Sequence, residues 1–233
     1  MAVNYNWLKR TIISGLFLWI GVSMSACSAT WKEEALQNDG STIMVTRSQT
    51  HGGRHEMGAV PPIEEQSISF VLPHTNKVIT WKDETTEDVG HANFDILALH
   101  VLNGTPYLVT IPDLCPAYNK WGRPNPPYVF FKYVGDAWQR IPLSEFPSEL
   151  KSVNLALDTL EWKDEKKLVS LSPVAAGMVK QLNRGINLPE YQTILRTPGV
   201  YSETGCIDFN SPQMMSPKAP LTMKPLTDQQ KNR

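Results

Sequence analysis

The stretch "FDILALHVLNGTPYLVTIPD", from Phe94 to Asp113, decides the fold class, because two apolar runs meet at Asn103-Gly104. Asn-Gly accepts the positive φ that both central positions of a tight hairpin turn require, so the runs read as antiparallel strands. Both faces of Ile96 to Leu102 are largely apolar, which predicts a central strand covered on two sides.

The flanking sequence repeats the β signal. "STIMVTRS" from Ser41, "SISFVLP" from Ser67 and "KVITWK" from Lys77 are short, β-branched and bounded by turn residues. The last two predict a hairpin across "PHTN". "PPYVFFKYVGDAWQRIPLSEF" predicts another, turning at Gly135-Asp136. The C-terminal third reads differently. In "SPVAAGMVKQLNRG", Ser172 suits an N-cap, Pro173 the first helical position and Gly185 the residue past the end. Ala176, Val179 and Leu182 then share one face. A second short helix is expected from Pro189 to Arg196. The fold class expected is α+β: a mainly antiparallel β-sheet core of hairpins with one or two C-terminal helices. It forms a single globular domain over 41–211, with a disordered tail over 212–233 where the sequence is polar and aperiodic.

Composition agrees with a globular body: 233 residues, 41% apolar and 19% charged. The net charge is -1, which excludes a basic nucleic-acid footprint. "WKEE" at Trp31 and "WKDE" at Trp81 and Trp162 recur without a fixed period, so they are no solenoid or propeller repeat.

The first 26 residues form three blocks: a polar start ending in Lys9-Arg10, the apolar run "TIISGLFLWIGV", and the small residues "SMSA". That run spans about 18 Å as a helix, short of the roughly 30 Å hydrocarbon core. The order is that of a secretory signal peptide over 1–26. Met24-Ser25-Ala26-Cys27 resembles the lipobox of bacterial lipoproteins, with Met24 where the family usually has Leu; ordinary signal-peptidase cleavage nearby is the alternative. The resemblance covers the leader only. It implies that Cys27 is diacylated on its sulfur, carrying palmitate-type chains, and becomes the new N-terminus, with 27–40 as a lipidated linker. Ser28, in place of Asp, resembles the sorting signal for the outer membrane. The localisation implied is periplasmic and lipid-anchored, with the membrane as a partner.

With Cys27 acylated, Cys115 and Cys206 remain as an even pair, either bridged or two unrelated buried thiols. A bridge over their 91-residue separation would contribute about 4–5 kcal/mol in the loop-entropy model.

Catalytic motifs are mostly absent from the sequence. No G-x-S-x-G, P-loop or G-x-G-x-x-G occurs. "SELK" at Ser148 lacks the K-T-G and S-D-N of penicillin-binding enzymes and reads as a helix N-cap. All five histidines fall between His51 and His100. "HGGRHEMGA" has Ala59 where a zinc protease needs its second histidine, so His51, His55 and Glu56 stand either in a solvated Gly-rich loop or around a metal, helped by His91 or Asp95. "DETTEDVG" lacks the alternating ligands of a calcium loop. The other candidate is "PAYNKWGRPNPPYVFFKY", where Tyr118, Trp121, Arg123, Asn125 and Tyr128 surround rigid prolines and suit a sugar, peptide or protein hot spot; strand aromatics are as readily core.

The function expected is a membrane-anchored, non-enzymatic binding or assembly module with a protein or cell-wall partner and no cofactor. Alternatives are a periplasmic hydrolase, metal-assisted through His51, His55 and Glu56, and an immunity-type inhibitor of a secreted toxin.

Overall fold

A computed structural model describes residues 27–53, 55–157 and 162–206, with backbone alone at 27, 162–164 and 203. The expected signal peptide, the side chain of Cys27 and the tail from 212 lie outside the described residues. Eight strands form two antiparallel sheets with three short helices, an α+β fold with a mainly β core. The first sheet runs β1 (Cys27–Leu36), β2 (Thr42–His51), β3 (Ile63–Val71) and β4 (Val78–Glu84) in chain order. The second runs β5 (Phe94–Leu102), β6 (Thr105–Pro112), β7 (Val129–Val134) and β8 (Ala137–Ile141), also in order.

The expected hairpins form. Asn103 and Gly104, at φ 50° and 75°, join β5 to β6, and Gly135 and Asp136, at 59° and 66°, join β7 to β8. Positive φ at both central positions matches the right-handed strand twist. Across "PHTN", Val71 pairs with Val78.

Alternation builds the core. Ile43 and Val45 of β2, Ile68 and Phe70 of β3, and Ile79 and Trp81 of β4 face Phe94, Ile96, Leu99, Leu108 and Phe131 of the second sheet. The second sheet's other face carries Leu97, Val109 and Phe130, covered by Phe146, Leu150, Leu157 and Ile194 from the C-terminal segments. Helix α2 (Trp162–Leu171) and helix α3 (Ala176–Asn183) close over Trp31 of β1 through Leu168 and Val179. Among the described residues, no helix is long and apolar enough to cross a membrane.

Four expectations change. The segment 27–36, expected as linker, is a strand whose inward positions include Trp31, Glu33 and Ala35, all at most 1% exposed; a buried glutamate hides the alternation. Strand β5 is covered on both faces yet stands at a sheet edge. Its outer edge is closed by amide side chains. Asn154 accepts from Leu99 N–H at 2.9 Å and donates to Leu99 O at 2.8 Å, while Gln37 donates to Leu99 O at 3.1 Å and accepts from Val101 N–H at 2.9 Å. Buried backbone groups need partners, and side chains serve where no strand is available. Third, the helix expected at Pro173 begins at Ala176, because the preceding residues dock along β1. Ser172 Oγ accepts from Lys32 N–H at 2.9 Å, Val174 bridges Glu33, and the Glu34 carboxylate accepts from Ala176 N–H at 3.0 Å. Fourth, Ser148 lies in a turn rather than at a helix N-cap, and Pro189–Tyr191 is a single 3-10 turn after which Thr193 bridges Ser152.

His100 on β5 is fully buried, with Nε2 against Ser152 O at 2.9 Å. Burial lowers its pKa, and the Ser152 carbonyl opposes that only in part. Between the lowered folded value and the unfolded one near 6.5, the unfolded chain binds the extra proton, so stability is lost as pH falls through that window. Guanidinium titrations between pH 7 and 5 are expected to show this loss, and a His100→Gln variant to show less of it. An equal slope in both would remove His100 as the cause.

Candidate functional site

Two clusters of polar side chains are candidates for a site: the inner face of the first sheet and the corner around the disulfide. On the inner face, apolar positions give way to polar ones towards the Cys27 end. Along β2 the inward series is Ile43, Val45, Arg47, Gln49 and His51. Arg47 and Glu33 are 1% and 0% exposed and lie 3.4 Å apart. Both hold the backbone of one residue: Glu33 Oε2 accepts from Ala156 N–H at 2.8 Å, and Arg47 Nη1 donates to Ala156 O at 2.6 Å. Burial raises the Glu33 carboxyl's pKa, and the Arg47 guanidinium works against that rise. The pair clamps a crossing loop to the sheet.

Asp83 on β4 performs a similar task between the sheets. Its carboxylate accepts from Gln66 Nε2 at 3.1 Å, Asn93 Nδ2 at 3.0 Å and Phe94 N–H at 3.0 Å, the last being the start of β5. Burial raises its pKa and the three donors oppose it. A carboxylate so surrounded is a joint between strands.

His51 ends β2. Its Nδ1 lies 3.0 Å from Pro61 O and its Nε2 3.1 Å from Glu165 Oε1 of α2. His55 is exposed with Nδ1 3.0 Å from Gly53 O, and Glu56 is exposed. The three therefore do not converge, and among the described residues no group of three His, Cys, Asp or Glu side chains could hold a metal ion. His91 faces Ala92 O at 2.6 Å and Asp113 at 3.4 Å instead.

The disulfide corner gathers the five aromatic and polar residues singled out in the sequence. Helix α1 (Leu114–Lys120), unexpected from the sequence, carries Cys115 and Tyr118. Cys115 is bonded to Cys206, with Cα atoms 5.3 Å apart. Each of the five touches the chain's own fold. Arg123 lies 5.2 Å from the Tyr118 ring and donates to Asn119 Oδ1 at 2.6 Å and Cys206 O at 2.8 Å. Asn125 exchanges two hydrogen bonds with Gly199, at 3.0 and 2.9 Å. The Tyr128 hydroxyl lies 2.9 Å from Glu190 O and accepts from Leu195 N–H at 3.2 Å. Tyr118 and Tyr128 are buried; Trp121 is half-buried, donates to Asn93 at 3.2 Å and packs 4.6 Å from the Phe94 ring.

The contacts of Arg123, Asn125 and Tyr128 bind the segment 190–206 beside the second sheet. What they leave open is a neighbouring groove of about 400 Å³. Its lining includes Pro124, Asn125, Pro126, Arg140, Pro142 and Leu143. The sequence pointed to Asn125 and to the rigid prolines around it, whereas Arg140 and Leu143 come from β8 and the turn after it, where no local signal marks them. In comparison with protein-family models, curated proteins and solved structures, nothing matches the chain.

Proposed function

We propose that the protein is a lipoprotein held at a periplasmic membrane face, acting there as a non-enzymatic binding or assembly module. The observation that supports anchoring is the junction of leader and body. Met24-Ser25-Ala26-Cys27 ends an export-type leader, and the same cysteine is the first residue of β1. Two or three acyl chains, at about 0.8 kcal/mol per buried methylene, would hold the body firmly. The Cys115–Cys206 bond suits an oxidising compartment. Ser28 behind the cysteine favours the outer membrane.

The contact surface proposed is the proline-rimmed groove. Prolines restrict the backbone before a partner arrives, which lowers the ordering cost of binding, and Arg140, held by Nη2 donating to Trp121 O at 3.1 Å, stands at its wall with its remaining N–H groups. The buried carboxylates Glu33 and Asp83 have no place in a catalytic site, since their oxygens are engaged by the fold itself.

Two measurements test this in cells. Globomycin treatment with mass spectrometry of the N-terminus is expected to show a diacylated Cys27 whose maturation the drug blocks, and Cys27→Ser is expected to release the body from the membrane fraction. An unmodified Cys27 sinks the anchor. A photo-crosslinker replacing Leu143 is expected to give one adduct of defined mass that Arg140→Glu abolishes; the same adduct from Met44, on the first sheet's outer face, removes the groove as the contact surface.

A further inference from the structure

The anchor residue has no slack. The ladder from Cys27↔His51 to Leu36↔Thr42 is unbroken, and Trp31, four residues along, is 1% exposed. An acyl chain on Cys27 would therefore bring this end of the first sheet to the bilayer surface. Paired strand residues stand about 5 Å apart between Cα atoms, so His51 and the loop that follows it come along.

That loop has a distinct form. Its base is closed by Gly52 N–H donating to Pro62 O at 3.1 Å and by the His51 contact to Pro61 O, and its tip turns with Ala59 N–H on Glu56 O at 3.0 Å. Gly58 takes φ 88°, a conformation that side-chain-bearing residues adopt at a cost. At the tip, Met57 is 104% exposed and Val60 50%, with Ala59 between. Six extended residues reach about 20 Å, so Met57 lies within that distance of His51.

We infer that the tip 55–60 is a second membrane contact, inserting Met57 and Val60 into the interface beside the lipid anchor and so orienting the body. The inference rests on the anchoring proposed above. Met57 and Val60 exposed to water have nothing to gain there, and the interface takes up apolar side chains without requiring the loop's backbone to enter the hydrocarbon. The neighbouring loop decides which lipid suits it. Glu84 at the end of β4 and Glu87 and Asp88 on the β4–β5 loop are exposed, that loop reaches β3 through Ala92 N–H on Ile63 O at 2.7 Å, and Lys120 pairs with Asp88 at 3.0 Å. A zwitterionic phosphatidylethanolamine-rich surface is accordingly favoured over an anionic one.

The test uses the full lipidated chain in vesicles of phosphatidylethanolamine and phosphatidylglycerol. With Cys27 acylated and Cys115 bonded to Cys206, Met57→Cys introduces one free thiol for a bimane label. The label is expected to be quenched by shallow nitroxide lipids several-fold more than the same label at Thr75→Cys, in the β3–β4 turn at the sheet's opposite end. Raising the phosphatidylglycerol fraction should weaken the quenching, and salt should restore it. Equal quenching at both positions, on protein whose mass shows an acylated Cys27, overturns the second contact and leaves the anchor intact. A mass without acyl chains overturns the anchor, read independently of fluorescence.

Discussion

Replacing Arg47 with Met is expected to destabilise the fold by about 3–5 kcal/mol, the range for removing one partner of a buried ion pair. The cost would arise from what is left behind: Glu33, 0% exposed, without its cation, and the Ala156 carbonyl without its donor. The double variant Arg47→Met, Glu33→Leu is expected to recover only the part due to the uncompensated charge, because it also leaves Ala156 N–H without its acceptor while the Ala156 carbonyl stays without its donor. The single variant should also acquire a pH dependence. Burial already raises the Glu33 carboxyl, and losing Arg47 removes the main opposing influence. Above the unfolded value near 4.3, a native state that keeps its proton loses stability as pH rises towards the folded value. The variant should therefore be relatively more stable at pH 5 than at pH 8. Urea denaturation of the three proteins checks this, and a single variant within about 1 kcal/mol of the parent would show that water or rearrangement already serves the pair.

Converting Cys115 and Cys206 to Ser is expected to cost about 4–5 kcal/mol, the loop-entropy value for their 91-residue separation. The bond closes the chain from α1 to the end of the described body, so the unfolded state gains most of the freedom. In the folded state the loss should be felt first over 197–206, where the hydrogen bonds of Arg123 to Cys206 O, of Asn125 to Gly199 and of the Glu190 carboxylate to Ser202 would be left to hold the segment. Thermal melts with and without reductant, with limited proteolysis mapping the first cut, separate the two effects. A first cut in the β-sheets would mean that the bond stabilises the whole body rather than fastening its end.

How far the sequence reveals this molecule depends on the range of the interaction. The hairpins at Asn103-Gly104, Gly135-Asp136 and "PHTN" were legible because turn chemistry and alternating apolar residues act within a few positions. Strand β1 was obscured by Glu33, a charged residue inside, whose partner Arg47 is fourteen positions away and whose other partner, Ala156, is 123 away. Helix α3 started late because Ser172 and Val174 were drawn onto β1, a contact that outweighs the local preference of Ser-Pro for a helix start. Helix α1 fell within a segment whose glycine and prolines argued for a loop.

The candidate site divides the same way. Tyr118, Arg123, Asn125 and Tyr128 stood out for composition, but composition is silent on what lies opposite a side chain. Only the chain's return past them from Glu190 to Cys206 turns these residues into a clamp and leaves the open groove to Pro124, Pro126, Arg140 and Pro142. By itself the sequence determined an antiparallel β-rich body with short C-terminal helices, because alternation, turns and caps are local. The tertiary structure decided the edge position of β5, the buried Glu33–Arg47 pair, the Cys115–Cys206 bond and the identity of the groove, because each depends on residues brought together only by folding.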